Sequence, residues 1–133
     1  MDTGACHERA SNGLHRRSRA ILVVWVIGFL IGTTTHILDL AAGGFETYAE
    51  FPTFLRLFWV SLTVLDPITV VLLLLRRRAG VILALGVILA DIAVNWTVFL
   101  TISGNPLFGV VNQTAFAVFL LATAPTLWRS FRW

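Results

Sequence analysis

The chain has 133 residues, of which 57% are hydrophobic and 13% charged. A soluble domain of that length cannot hide so much apolar surface, so composition excludes an ordinary soluble fold and points to an all-α integral membrane protein. The formal net charge of +3 comes from ten arginines, without a lysine, set against seven acids; the arginines flank apolar runs and form no basic face, which excludes a nucleic-acid partner.

Residues 1–19 are polar and read as a cytoplasmic tail. Cys6, His7 and His15 fall in this tail, where solvation is the simpler reading, so no metal is expected. The single cysteine also excludes an internal disulfide. The first span covers residues 20–40. A cleaved leader is the rival reading of "HRRSRAILVVWVIGFL", but the uncharged run from Ala20 to Leu38 is longer than a leader's apolar region. Gly28, Gly32 and His36 recur every four residues and share one face. Such a small-residue stripe admits a second helix at close range, either within the bundle or from another copy in a homo-oligomer. Asp39, one turn beyond His36, is placed to hold the imidazole by a hydrogen bond.

The loop "AAGGFETYAEFPT" repeats aromatics at Phe45, Tyr48 and Phe51. It reads either as a short helix lying aromatic face down on the membrane or as an irregular loop with interfacial aromatics. The second span, residues 54–75, carries Asp66 and Pro67 at its middle, and the proline is expected to bend the helix there. The third span, residues 79–102, follows after only three arginines, so the two helices must be antiparallel neighbours. "SGNPLFG" has the chemistry of a tight connection to a fourth span, residues 108–128. Residues 129–133, with Trp128 before them, form a basic-aromatic anchor containing Phe131 and Trp133. The sequence is therefore expected to form a four-helix bundle.

Arginine placement orients it. Arg9, Arg16, Arg17, Arg19, Arg76, Arg77, Arg78, Arg129 and Arg132 all fall on one side of four spans, while Asp39, Glu46 and Glu50 outnumber Arg56 on the other. Both termini are then cytoplasmic, in a cell membrane of the bacterial inner-membrane kind. Asn95 and Asn112 match the glycosylation pattern but fall in spans and are discounted.

Ionisable residues inside a span are functional candidates by default. Counting from the arginine side, Asp66 lies roughly 14 Å deep and Asp91 roughly 18 Å deep, close to one level. His36, Asn95 and Gln113 form a higher tier at roughly 22–24 Å. No cation lies at the level of the two acids, so both cannot stay ionised and at least one is expected protonated near neutral pH. Coupled carboxylates of this kind suit acid–base work or proton relay, with His36 as a third proton carrier. Asp39, Asn95, Gln113, Trp59 and Trp96 are candidates for lining a pocket, the tryptophans by offering an apolar wall or a π-face to a cation. The same polar residues could instead be hydrogen-bonding glue between helices. No nucleophile–base pair, CxxC, HExxH, phosphate loop or cofactor motif is present in the sequence.

"THILDL" in the first span, "VLDPITV" in the second and "ADIAVNW" in the third resemble the EXPERA group of four-helix membrane proteins, which includes emopamil-binding sterol isomerases and sigma-2-receptor-like proteins. The chain is also similar to small four-helix bacterial membrane proteins in general. The EXPERA resemblance implies a membrane pocket for a sterol-like or amine ligand, carboxylates that move a proton, and His36, Asp39 and Asp66 as the matching positions. Three functions stay open: a pocket for a lipophilic small molecule, with or without catalysis; a small oligomeric transporter or channel subunit; and an accessory protein whose polar residues only hold helices together.

Overall fold

The computed structural model describes residues 3–102 and 107–133, with side chains from Gly13 onward apart from that of Phe45. Four helices make up the bundle: α1 (Thr3–Gly43), α2 (Thr53–Leu74), α3 (Arg78–Thr101) and α4 (Leu107–Ser130). All four are long and apolar enough to cross a membrane. The bounds of α2, α3 and α4 fall within one or two residues of the expected spans, and α1 ends three residues later than expected. The polar N-terminal segment continues the first helix back to Thr3 instead of standing apart from it. Of the tight "SGNPLFG" connection, residues 103–106 lie outside the described residues, as do the side chains of Cys6 and His7.

The helices form a square. Each packs on its neighbours in chain order, α4 closes back on α1, and the backbones of the diagonal pairs stay apart among the described residues. The core is set by large side chains pointing inward from every helix: Trp25 and Phe29 from α1, Leu62 and Leu73 from α2, Val81, Ala84 and Val98 from α3, Leu120 and Leu127 from α4. Outward positions such as Val23, Val64, Leu100 and Val118 are equally apolar and exposed, which fits helices surrounded by lipid.

Helices of this kind placed in lipid gain little hydrophobic drive towards one another, so close packing and hydrogen bonds are what would hold them. Two indole–threonine bonds stitch α4 to its neighbours: Trp25 Nε1 donates to Thr123 Oγ1 and Trp96 Nε1 to Thr114 Oγ1, both at 2.9 Å. Each threonine hydroxyl in turn donates to a carbonyl four residues back. Bonds of this kind contribute about 0.6 kcal/mol apiece, so they select register more than they supply stability.

The turn between α2 and α3 is tightly specified. Arg77 N–H donates to Leu72 O at 3.0 Å and Arg76 N–H to Leu73 O at 2.9 Å. This paired closure requires a left-handed residue just past the helix, and Arg76 takes it with φ of 53°. Gly80 then lets α3 approach the end of α2: a Cβ there would fall 2.8 Å from Leu73 N and 2.9 Å from Leu72 C. α2 itself runs unbroken through Pro67. The C-terminal segment folds back onto this turn, where Arg78 N–H donates to Arg132 O and Arg132 N–H to Arg76 O. Phe131, expected as part of a membrane anchor, is buried in the core instead.

Because the Gly80 contact is with backbone, a side chain there cannot be accommodated by a rotamer change. Gly80→Ala is expected to destabilise the purified protein by about 1–3 kcal/mol, seen as a lower melting temperature in detergent, whereas Gly86→Ala, with open space at its Cβ, should not.

Candidate functional site

α2 and α3 are antiparallel across a short turn, so residues equally far from it share a level. Asp66 on α2 and Asp91 on α3 accordingly line one cavity of about 480 Å³, and only 4% and 7% of their surface is exposed. The walls are mainly apolar, with Phe29 and Ile31 from α1, Leu62 from α2, Val87 and Ile88 from α3 and Phe116 from α4. No arginine lines the cavity.

The two carboxyl groups are held differently. Asn95, one turn beyond Asp91, donates from Nδ2 to Asp91 Oδ1 at 2.8 Å and to Gln113 Oε1 at 3.0 Å. Asp91, Asn95 and Gln113 thus form a string from α3 to α4. Asp66 belongs to no such string. Its carboxyl makes no hydrogen bond among the described residues, and it reaches over Gly32, where a Cβ would lie 2.9 Å from its Oδ2.

A second cavity, of about 380 Å³, stands above the first. The two share Thr35, His36 and Gln113 as lining residues. The upper one adds Asp39, Thr47, Tyr48, Phe51, Trp59 and Asn95. His36 therefore sits at the junction. Its Nδ1 is fully enclosed and has no hydrogen-bond partner among the described residues.

The expected bond between His36 and Asp39 is not formed. Asp39 Oδ2 instead accepts from Tyr48 Oη at 3.0 Å, while Thr47 Oγ1 donates to Asp39 O at 2.8 Å. A side chain one helical turn away competes poorly with a loop that folds directly onto the carboxylate. The loop is not the short α-helix that was one of the two forms expected from its aromatic repeat. After a short 3₁₀ turn at Gly44–Glu46, it turns Tyr48 and Phe51 inward onto the buried Trp59, at ring separations of 5.0 and 5.1 Å. These rings line the upper cavity; the side chain of Phe45 lies outside the described residues.

Two further expectations change. Trp96 does not line either cavity; its indole binds Thr114 and its ring packs edge-on against Phe99. The glycine stripe is occupied within the chain, since Gly28 receives the ring of Phe116 and Gly32 the carboxyl of Asp66. A second copy approaching along these glycines would have to displace both. The remaining candidates, Asp66, Asp91, His36, Asp39, Asn95, Gln113 and Trp59, all line one or other of the two cavities.

Sequence reasoning missed Phe116, Thr35, Asn112 and the inward role of Tyr48. Phe116 lies one turn from Gln113 on α4 and shares its face, a signal present in the sequence. Tyr48 and Phe51 carried no such signal, because loop direction is set by tertiary contact.

No family model matches the chain, and no curated protein or solved structure does either.

Burial pushes the Tyr48 phenol above its ordinary value, and its hydrogen bond to Asp39 and the negative charge there push it the same way. The folded state therefore favours the neutral phenol. That contribution is fully present below the ordinary tyrosine range and is lost as pH rises through the folded value. Tyr48 is the only tyrosine in the chain, so phenolate absorbance reads it alone. It is expected to titrate later than free tyrosine, and Asp39→Asn should bring it back towards the free value.

Proposed function

We propose that this is a multi-pass protein of a bacterial cell membrane whose central cavity takes up a lipophilic small molecule and exchanges a proton with its polar group. The observation that carries this reading is Asp66: a buried carboxyl, facing an apolar-walled cavity beside a second carboxyl, with no protein hydrogen bond among the described residues. Hydrogen-bonding glue is expected to be paired, as Asp91, Asn95 and Gln113 are. An unpaired polar group aimed into an apolar cavity is the usual mark of a ligand site.

Entry from the lipid is supported by the shape of the bundle. The backbones of α1 and α4 approach each other at fewer positions than those of the other neighbouring helices do. The cavity residues on that seam include Ile31, Thr35, Asn112 and Ala115, all exposed. Below the two acids the interior is filled by Trp25, Thr69, Leu73, Ala84 and Leu120, each fully buried. A pocket closed towards the arginine-rich end favours binding over a conducting path through one chain. With both termini at that end, as arginine placement implies, the upper cavity faces the outer side. The likeness to the EXPERA group points to the same residues, with Asp66 in the lower cavity, Asp39 in the upper and His36 between them.

Native mass spectrometry of the gently purified protein is expected to show a retained lipophilic adduct. Asp66→Asn should lose it with little change in melting temperature, because no protein hydrogen bond is broken. Asp91→Leu should lose the adduct and also destabilise the fold by about 1–3 kcal/mol, since it strips the acceptor from Asn95. Retention of the adduct in Asp66→Asn would overturn the proposal. An adduct-free wild type, with both variants melting lower, would establish the accessory, helix-holding role instead.

A further inference from the structure

A second concave site lies at the opposite end of the bundle, where the α2–α3 turn meets the C-terminal segment. Four arginines converge there, and two are already engaged. Arg78 is clasped by the rings of Trp128 and Trp133, 5.1 and 5.2 Å from its guanidinium carbon, and its Nε donates to Trp128 O and Phe131 O at 3.1 Å. Arg77 donates to the carbonyl of Trp133.

Arg76 and Arg132 are different. Neither guanidinium has a partner among the described residues. The backbone nevertheless ties the two positions together, through Arg132 N–H to Arg76 O at 3.1 Å and Arg78 N–H to Arg132 O at 2.9 Å. With Leu74, Leu75, Ser130 and Phe131 they line a concavity of about 550 Å³. No acid lines it to neutralise them. Arg76 also occupies the left-handed position, φ 53°, that glycine fills without strain. What arginine adds at that position is its side chain.

The chemistry of a matching ligand follows. Two uncompensated guanidiniums call for an anion with several acceptor oxygens, and a phosphate offers them in the geometry a guanidinium fork matches. Leu74 and Leu75, at the end of the α2 span, are 60% and 57% exposed and give an apolar wall beside the charges. The absence of a lining acid leaves nothing to hold the cationic group of a zwitterionic headgroup. We propose that this concavity binds the phosphate of an anionic phospholipid, with its acyl chains lying along Leu74 and Leu75. The site is independent of the carboxylate cavity and of the function assigned to it.

The test is native mass spectrometry of the full-length protein in detergent, titrated with phosphatidylglycerol or phosphatidylcholine. Phosphatidylglycerol should bind preferentially, and Arg76→Gln and Arg132→Gln should each weaken it about fivefold, the effect of one interfacial arginine on an anionic lipid. Arg16→Gln, which removes an equal charge from the same end, should change nothing. Arg76→Gly should lose the preference while raising the melting temperature, because it relieves the left-handed strain; this separates binding from folding. Equal binding of the two lipids would overturn the proposal, as would an equal loss in Arg16→Gln. Displacement of phosphatidylglycerol by an equal concentration of glycerol phosphate would also overturn it, by assigning the site to a soluble phosphate.

Discussion

The turn from Leu72 to Gly80 governs the register of the whole bundle. Arg76 in the left-handed region closes α2, and Gly80 lets α3 start against its backbone. Two helices joined so tightly cannot slide, because a shift of one residue would rotate α3 by about 100° and drive a side chain into the Leu72–Leu73 backbone. The level and facing of Asp66 and Asp91 follow from that constraint. So does the solid packing of Thr69, Leu73, Val81 and Ala84 beneath them. The C-terminal segment adds a second lock by pairing Arg132 with the same turn.

Within this frame, polar groups divide into two kinds. Most are satisfied locally or across one seam: threonine hydroxyls donate to carbonyls of the preceding turn, Trp25 and Trp96 bind threonines of α4, and Asn95 joins Asp91 to Gln113. In an apolar surrounding an unpaired polar group is costly, so pairing is the default state. Against that background the Asp66 carboxyl and His36 Nδ1 stand apart. They lie in two adjacent cavities that share lining residues, with the carboxyl in the lower one and the imidazole lining both. Both residues line cavity space rather than the packed core beneath.

Much of this was legible in the sequence. The number of spans, their bounds and the convergence of arginines at one end follow from hydropathy and charge, since a helix in lipid must be apolar over a known length. The shared depth of Asp66 and Asp91 follows from the short turn between them, and the common face of Asp91 and Asn95 from their spacing. The partners of Asp39, Trp96 and the glycines were not legible. Asp39 has two neighbours within reach, His36 along the helix and Tyr48 from the loop, and helical periodicity describes only the first. Trp96 carries the same composition signal whether it faces a cavity or an adjacent helix.

The sequence by itself determined an all-helical chain with four helices apolar and long enough to cross a membrane, an arginine-rich end, and two acids at one level in the interior. Those properties depend on local periodicity and on distance along the chain, and both are written in residue order. Tertiary structure alone decided that Asp66 has no protein partner while Asp91 has one, that Phe116 and Asp66 fill the glycine stripe, and that Tyr48 and Phe51 fold over Trp59. These depend on how each helix is rotated against its neighbours. In a chain apolar on all sides, that rotation is chosen by the packing of whole side chains rather than by any one-dimensional pattern.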